Sequence, residues 1–473
     1  MAAKWGSITA GEIIPSISGE LISGRTDVVF SGLSTDSRDI CHGRLFLALK
    51  GDQYDGHEYI RDAINKGACG IIAQQDYRLD ITPGKYPVVI AVPDTLRALG
   101  DLAGWWRHQQ SARVAVITGS AGKTTVKEMT AGILELESRT LKNIGNFNNL
   151  VGLPHTILSL EEGHQRAVLE MGMNRTGEIA RLTEIADPDI GLITNVARAH
   201  LEGLGDIQGV ARAKVEMIEK ISSNSRIILN GDDRLLIETA SPLGRDFISF
   251  GIGSKNNIRA GKIRNSGKKG ISFDLKYNGD SVPLNLGVPG FQNVFNALAA
   301  AAISLSLNVS PDNVMKGLNN FEGIQGRFRL IPLHGGGTLI DDTYNSNPFS
   351  LRAALNSLKD MAVNGGRLIV GLGEMMELGN ETAAAHFEAG CMVADLGATY
   401  FMAMGDHSKE MIEGALKGGL NPERIMDVRD REEMVRKIMG VMEQGDLILL
   451  KGSRRTSLEK VIEILKQKCG KED

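Results

Sequence analysis

The sequence of 473 residues has few cysteines, no long apolar run and little net charge. Its four cysteines are scattered without the spacing of metal ligands or of a disulfide framework, so we expect reduced thiols and no zinc cluster. No run approaches the roughly 20 apolar residues of a membrane span, and the first five residues lack the apolar core of a signal peptide. These absences predict a cytoplasmic protein without a membrane span.

Charge is almost balanced, with 53 lysine and arginine residues against 57 acidic ones and a net charge of -4. This balance gives no reason to expect nucleic acid or an anionic membrane as the main partner. The chain also lacks internal repeats and low-complexity tracts. With 42% hydrophobic residues it can bury large cores, and its length indicates two to four domains.

The most informative stretch is Val114-Ala-Val-Ile-Thr-Gly-Ser-Ala-Gly-Lys-Thr-Thr125, an apolar strand that runs into a glycine-containing turn. Gly119 and Gly122 allow the backbone to bend so that N–H groups point into one concavity, and the following helix adds the positive end of its dipole. Lys123 supplies an ammonium for the outer phosphates, and Thr124 supplies a hydroxyl for a magnesium ion. The stretch predicts a triphosphate-binding loop; the alternative is a simple glycine turn that opens a helix.

Strand and helix patterns alternate on both sides of this loop, which predicts an α/β fold of three domains. Residues 1–93 are expected to form a small N-terminal α/β unit. Residues 94–325 are expected to form a central P-loop domain with a mainly parallel sheet, with hairpins between about 246 and 288. Residues 326–473 are expected to form a C-terminal doubly wound, Rossmann-like domain.

Two polar side chains follow strands of the central domain. Glu170 ends an apolar strand, and His200 comes just beyond the next one. Because the carboxyl ends of parallel strands meet at one crevice, Glu170 can face a magnesium ion held by Thr124, and His200 is a further ligand candidate. The alternatives are an exposed carboxylate at a strand end and a structural histidine.

Lys214 interrupts an apolar stripe. In a helix from Ile207 to Ile221, apolar residues fall on one face at three- and four-residue spacing, and Lys214 lies in the middle of that face. Burial there would lower its pKa and leave a neutral amine that reacts with carbonyl compounds or carbon dioxide. The alternative is that the alkyl stem passes the edge of the core and its ammonium reaches water.

Together these residues resemble the Mur ligase family, the ATP-dependent amide ligases of bacterial cell-wall precursor synthesis. The resemblance covers nearly the whole chain and rests on Thr118-Gly-Ser-Ala-Gly-Lys-Thr-Thr125, Asn146-Phe-Asn-Asn-Leu-Val-Gly-Leu-Pro154, Glu170-Met-Gly-Met-Asn174, Thr194-Asn-Val-Ala-Arg-Ala-His200, Lys214, Gly326-Arg-Phe328, Asp341-Asp-Thr-Tyr-Asn-Ser-Asn-Pro348 and Lys451-Gly-Ser-Arg454.

The resemblance implies a reaction that joins D-alanyl-D-alanine to the peptide carboxylate of UDP-N-acetylmuramoyl-tripeptide through an acyl phosphate. It implies ATP and two magnesium ions as cofactors and those two substrates as partners. A monomer is expected, although the sequence itself does not specify the oligomeric state. It also implies that carbon dioxide carbamylates Lys214 and so turns the amine into a carboxylate-like ligand of the second magnesium ion.

The same resemblance implies roles for individual residues. The catalytic residues are Lys123, Glu170, His200 and Lys214, and the metal ligands are Thr124, Glu170, His200 and the Lys214 carbamate. The nucleotide is bound by Gly119, Ser120, Ala121, Gly122, Lys123, Thr124, Thr125, Asn293, Asn296, Arg327 and Asp342. The other substrates are bound by Ser34, Thr35, Asp36, Ser37, Arg38, Asn148, Asn149, Lys451 and Arg454.

Two alternatives stay open at this point. One is another ligase of the same family, which adds a single amino acid or extends a folate glutamyl tail. The other is a P-loop switch or motor that couples ATP hydrolysis to a partner and forms no amide.

Overall fold

A computed structural model describes residues 5, 8–40, 42–51, 54–77, 88–334, 336–362 and 366–469. Three separate sheets organise these residues in chain order, each with helices packed against it, and the predicted alternation of strands and helices is confirmed. The domain boundaries expected at 93/94 and 325/326 fall between the sheets and stay predictions.

The first sheet has five strands in the order β2-β7-β6-β5-β4, parallel except for the antiparallel edge strand β2. A two-stranded ribbon of β1 and β3 lies beside it. The elements of this unit are β1 Ile8–Thr9, α1 Ala10–Ser16, β2 Glu20–Ser23, β3 Val29–Phe30, β4 Gly32–Ser34, β5 Arg44–Leu47, α2 Ile60–Asn65, β6 Gly70–Gln74 and β7 Val88–Val92.

The central sheet has nine strands in the order β16-β15-β14-β13-β12-β11-β8-β10-β9. Its elements are α3 Thr95–His108, β8 Arg113–Thr118, α4 Lys123–Leu134, β9 Thr140–Lys142, α5 Gly152–Ile157, β10 Arg166–Glu170, α6 Glu178–Ala186, β11 Ile190–Ile193, α7 Leu201–Leu204, α8 Ile207–Lys220, β12 Arg226–Asn230, α9 Arg234–Ala240, β13 Ile248–Gly251, β14 Ile258–Asn265, β15 Ile271–Tyr277, β16 Asp280–Leu286, α10 Gln292–Ser306 and α11 Pro311–Asn319.

From β14 across the sheet to β9, with β8 between β11 and β10, every neighbouring pair of strands is parallel. The antiparallel pairs β14–β15 and β15–β16 are the expected hairpins. The prediction of hairpins from residue 246 was therefore wrong for β13, which pairs in parallel with β12 and β14. Strand β8 lies between β10 and β11, so the strands that follow it in the chain lie on both sides of it, with β9 and β10 on one side and β11 on the other. Such a switch point opens a crevice at the carboxyl ends of the strands.

The C-terminal sheet has six strands in the order β17-β18-β22-β19-β20-β21, parallel except for the edge strand β17. Lys451, at the end of β22, lies between the ends of β18 and β19. The elements are β17 Arg329–Pro332, β18 Thr338–Asp342, α12 Pro348–Met361, β19 Leu368–Leu372, α13 Thr382–Leu396, β20 Tyr400–Met404, α14 Ser408–Lys417, β21 Ile425–Val428, α15 Arg431–Val441, β22 Leu447–Lys451 and α16 Glu459–Cys469.

Apolar residues fill both faces of the two larger sheets. In β8, residues 114–118 are all buried, which explains why this strand has a continuous apolar run instead of an alternating pattern. The core on one face of the central sheet continues into the N-terminal unit, where the Trp5 and Trp106 rings lie 6.2 Å apart. The N-terminal unit is thus packed directly onto the domain that carries the phosphate loop.

Three of the four cysteines, Cys69, Cys391 and Cys469, are free thiols, and Cys41 lies outside the described residues. In the part of the chain that the structure describes, we find no helix with the length and apolar content needed to cross a membrane.

Candidate active site

Glycine is required at two positions of the predicted phosphate loop. Gly119 has a φ of +146°, and a Cβ there would lie 1.8 Å from the Thr194 Oγ1 that follows β11. Gly122 has a φ of +83°, and its Cβ would lie 2.4 Å from Oδ1 of Asn296 on α10. The loop is therefore held tightly between the end of β11 and the start of α10.

Two N–H groups of the loop are already used within the protein. Ser120 donates its N–H to the Asn195 carbonyl and Ala121 donates its N–H to the Asn195 Oδ1, each over 3.0 Å. The sequence interpretation had all of these groups facing a phosphate. The first turn of a helix leaves N–H donors without an internal partner, and in α4 these begin at Lys123, directly after the phosphate loop.

The close packing of Gly119 gives a direct prediction. We expect Gly119→Ala to weaken ATP binding at least about tenfold, about 1.4 kcal/mol, because the methyl group would displace Thr194 and the loop. Gly132→Ala is the matched control, since Gly132 lies within α4 with no atom near its Cβ position. Titration calorimetry with ATP measures both variants, and equal affinities would contradict the prediction.

Glu170 and Thr124 meet as predicted. Thr124 Oγ1 donates to Glu170 Oε2 over 2.8 Å, and Asn148 Nδ2 donates to Glu170 Oε1 over 2.8 Å. Arg327, which follows the central domain, reaches the same Thr124 hydroxyl over 3.3 Å. Glu170 is 3% exposed, and its carboxylate together with the Thr124 hydroxyl supplies the hard oxygen ligands that magnesium prefers.

Lys123 lies at the centre of this group. Its Nζ donates to the Gly119 carbonyl over 2.7 Å. Burial lowers the pKa of Lys123, and the negative charge of Glu170 opposes that shift. A phosphate group would offer this ammonium a stronger acceptor than a loop carbonyl does.

Lys214 lies in the middle of α8, which starts at the Asp206 cap, and it is 1% exposed. Burial lowers the pKa of Lys214 well below its usual value, and the charge of Lys123 adds to the effect. Within the described ranges no carboxylate lies at ion-pair distance from its Nζ. Of the two alternatives that the stripe left open, the one in which the side chain reaches water is therefore wrong, and the amine is buried.

His200 has a partner that the sequence did not suggest. Its Nδ1 lies 2.5 Å from Oε2 of Glu377 in the C-terminal domain, and the Glu202 N–H donates to the Glu377 carbonyl over 3.3 Å. Both His200 and Glu377 have positive φ values, +56° and +65°, which non-glycine residues rarely adopt. Contact with His200 lowers the pKa of Glu377. No motif identified Glu377, because the contact depends on how two domains pack.

The predicted metal ligands are only partly gathered. Thr124 and Glu170 are in contact, whereas His200 is paired with Glu377 and Lys214 is an amine. Across the residues that the structure describes, no three histidine, cysteine, aspartate or glutamate side chains come together as a metal site. The second metal set therefore stays a prediction that requires the Lys214 modification.

The residues predicted on the adenine side brace the loop. Asn293 Nδ2 donates to the Pro289 carbonyl over 2.7 Å, and Asn296 Nδ2 donates to Asn293 Oδ1 over 3.0 Å. Both side chains are buried on the first turns of α10, with Asn296 against Gly122. Their contact with a nucleotide stays a prediction.

In the C-terminal domain, Lys451 and Asp342 form a buried ion pair of 2.7 Å. Burial lowers the pKa of Lys451, and Asp342 opposes the shift. Arg454 is exposed and lies beside the Tyr344 ring. The structure thus brings Arg327, Asp342, Lys451 and Arg454 together at the carboxyl ends of β18 and β22.

The segment 34–38 forms a turn in the N-terminal unit. Asp36 accepts from the Arg38 N–H over 2.9 Å and pairs with its guanidinium, and the Ser34 hydroxyl bonds the Asp36 backbone. Thr35 Oγ1 lies 3.0 Å from Nε2 of His155 on α5. Ser37 is buried in the same turn. The Asn149 side chain caps α5 through the Gly152 N–H at 2.8 Å, so that amide is engaged in structure.

The burial of His155 predicts a pH dependence of stability. Burial lowers the pKa of His155 to about 4. Between about pH 6.5 and about pH 4, the unfolded chain therefore binds a proton that the folded chain does not bind. Stability is lost as pH falls through this window. At pH 5 we expect wild type to lose about 2 kcal/mol more than His155→Gln.

Urea unfolding at about pH 7.5 and pH 5 measures this difference. His108→Gln is the matched control, because the His108 side chain is 60% exposed. An equal loss in wild type and His155→Gln would contradict the prediction.

Comparisons with known proteins agree with this geometry. The chain matches three families, described as Mur ligase family, catalytic domain, over residues 29–106, Mur ligase middle domain over 117–304, and Mur ligase, glutamate ligase domain, over 326–454. The UDP-N-acetylmuramoyl-tripeptide--D-alanyl-D-alanine ligase of Escherichia coli (strain K12) is 35% identical over 464 residues, 98% of this chain and 99% of that protein.

Two solved structures are similar along almost the whole chain. MurF from Acinetobacter baumannii has a TM-score of 0.87 and 31% identity, and covers 98% of this chain and 99% of its own. The MurF ligase from Thermotoga maritima in complex with ADP has a TM-score of 0.81 and 26% identity, with 92% and 97% covered.

Proposed function

The chain belongs to the Mur ligase family, and from this premise we propose that it joins D-alanyl-D-alanine to the peptide carboxylate of UDP-N-acetylmuramoyl-tripeptide at the expense of ATP. The reaction belongs to bacterial peptidoglycan precursor synthesis. The observation that carries the proposal is the group of Lys123, Thr124 and Glu170 at the switch point of the central sheet, in a chain that matches the named ligase from end to end.

The reaction has two steps. The substrate carboxylate attacks the γ-phosphorus of ATP, an O–P bond forms, and ADP leaves with the electrons of the broken bond. The amine then attacks the acyl phosphate, and the tetrahedral intermediate releases inorganic phosphate and a proton to give the amide. Lys123 and the first turn of α4 offset the charge that develops on the phosphates. No protein nucleophile is needed, because positioning and electrostatics supply the catalysis.

Magnesium, when bound, neutralises phosphate charge. Thr124 and Glu170 fit one ion, since a hydroxyl and a carboxylate already lie in contact there. A second ion would be coordinated by His200, Glu170 and the carbamate of Lys214. The neutral Lys214 amine would add to carbon dioxide, forming an N–C bond and releasing a proton, and the product is an oxygen ligand. Burial of the amine supports this proposal, because it favours the neutral form.

The three domains have separate roles in this proposal. The turn at 34–38 holds the uridine diphosphate, and Asn148 and Asn149 lie along the path of the attached peptide. Asn293 and Asn296 contact the adenine side of the nucleotide. Asp342 and Arg327 bind the rest of it. Lys451 and Arg454 face the reacting groups. Closure of the C-terminal domain would keep water from the acyl phosphate. The monomeric state and the cytoplasmic location stay predictions.

Release of ADP and phosphate tests the function. The assay combines ATP and magnesium with a panel of acceptors and amines, including single amino acids and a folate with glutamate. We expect turnover only with the tripeptide nucleotide together with D-alanyl-D-alanine, and an amide product by mass spectrometry. Hydrolysis of ATP without an amine would instead indicate a switch or motor, and no turnover with the expected pair would overturn the proposal.

A further inference from the structure

The ring of Tyr344 lies against two arginines from different parts of the chain. The Arg327 Cζ is 4.1 Å from the ring centroid, and the Arg454 Cζ is 5.5 Å from it. Arg327 comes from the segment that enters the C-terminal domain, and Arg454 follows the last strand of its sheet. One side chain thus contacts two guanidinium groups of the proposed site.

Hydrogen bonds to the backbone hold the loop that carries this ring. The Tyr344 N–H donates to the Gly326 carbonyl over 3.1 Å, and the Gly326 N–H donates to Asp341 Oδ2 over 2.9 Å. Lys451 Nζ donates to the carbonyl of the next residue, Asn345, over 3.0 Å. The loop that carries Tyr344 is therefore tied both to the segment before Arg327 and to the end of β22.

The two arginines have no carboxylate at ion-pair distance among the residues that the structure describes. A carboxylate would neutralise the guanidinium and occupy its N–H donors. An aromatic face attracts the cation through its quadrupole and leaves the N–H groups in the guanidinium plane free. The ring therefore orients Arg327 and Arg454 while their charge and donors stay available for an anion.

The direction in which Arg327 points identifies that anion. Its Nη2 reaches the Thr124 hydroxyl over 3.3 Å, and Thr124 follows the Lys123 of the phosphate loop. This end of the loop is where the outer phosphates of a triphosphate lie. A group that orients Arg327 should thus matter more for the terminal phosphate than for the inner two.

We propose that Tyr344 is a positioning residue of the ligase reaction, whose ring holds Arg327 and Arg454 toward the terminal phosphate of ATP and the acyl phosphate made from it. The proposal rests on the proposed function. It assigns the role to the ring and not to the hydroxyl, because the phenol oxygen has no hydrogen bond in the described part of the chain.

Calorimetry with ADP and with a non-hydrolysable ATP analogue tests the proposal, alongside steady-state kinetics. For Tyr344→Leu we expect at least about a tenfold loss of affinity for the ATP analogue and less than about a threefold loss for ADP. The value of kcat should also fall, since the second arginine serves the acyl phosphate. Tyr344→Phe should stay within about twofold of wild type in all of these measurements.

Tyr400→Leu is the matched control, because it removes the contact between Tyr400 and Arg367, 5.9 Å apart, near the other end of the same sheet. It should leave the affinity for the ATP analogue unchanged. Tyr344→Met carries the same expectation as Tyr344→Leu and replaces it if that variant does not fold.

The proposal is overturned if Tyr344→Leu or Tyr344→Met binds the ATP analogue like wild type, or if Tyr344→Phe is as impaired as they are. It is also overturned if ADP and the analogue lose affinity equally, since a general loosening of the fold would do that. The proposed function fails separately, when the wild-type enzyme does not turn over the tripeptide nucleotide and D-alanyl-D-alanine. The binding measurements do not depend on that turnover.

Discussion

Replacing Lys214 with alanine is expected to abolish the ligase activity, a loss of at least about 10³-fold, because the variant cannot form the proposed carbamate and so lacks one ligand of the proposed second metal ion. The structure supports this expectation through the position of the amine. Lys214 is 1% exposed, lies in the middle of α8, and carries a pKa well below its usual value because of burial. An ammonium would be poorly solvated there, whereas a neutral amine can react with carbon dioxide.

Short carboxylates provide the sharper part of this test. Acetate or formate could enter the space left by the side chain and place a carboxylate where the carbamate would be, so partial rescue of Lys214→Ala is expected. Lys220→Ala is the matched control, since Lys220 ends the same helix at the surface and pairs with Glu184 over 2.9 Å. Full activity of Lys214→Ala would refute the carbamate role.

A direct observation can accompany the kinetics. With ¹³C-labelled bicarbonate, the wild-type protein should show a protein-bound carbamate signal that Lys214→Ala lacks. The same signal in both proteins would place the modification elsewhere.

Much of the fold follows from local patterns in the sequence. Buried parallel strands have continuous apolar runs, and their helices have a period of 3.6 residues, so β8 and α8 were predicted within a few residues. The contact of Thr124 with Glu170 also follows, because the carboxyl ends of neighbouring parallel strands meet in one crevice. The lysine on the apolar face of α8 left two alternatives open, a buried amine and a stem that reaches water, and only the folded structure decides for the buried amine.

Contacts between domains could not be predicted in this way. The pairing of His200 with Glu377 joins residues far apart in the chain, and neither belongs to a pattern that predicts the other. Long-range contacts within the C-terminal domain have the same limit, because Arg327 and Arg454 reach the Tyr344 ring from three segments that meet only in the folded chain. Local patterns determine helices and strands, whereas the relative placement of sheets depends on cores shared across the whole structure.

The strand β13 shows a related limit. Its short length and the turns around it are typical of a hairpin, yet it pairs in parallel with β12 and β14. Parallel pairing needs a partner strand elsewhere in the chain, and short apolar segments do not specify that partner.

Replacing Glu170 with glutamine is expected to lower kcat at saturating ATP by at least about 10²-fold. Glutamine keeps the shape and one acceptor oxygen, so Asn148 can still donate to it and the fold should be preserved. It removes the negative charge that balances Lys123 and that a magnesium ion would need. The expected signature is a higher magnesium concentration for half-maximal activity with an unchanged melting temperature.

Glu137→Gln is the matched control for this substitution. Glu137 pairs over 2.9 Å with Arg166, which starts β10, whereas Glu170 ends the same strand. The variant therefore removes a carboxylate far from the proposed magnesium site. Its activity and magnesium dependence should equal those of wild type. If Glu170→Gln also kept both, the hydrogen bond from Thr124 would be structural only, and the magnesium ion would have to be held by other groups of the crevice. Phosphoryl transfer at this switch point would then depend on Lys123 and the first turn of α4 alone.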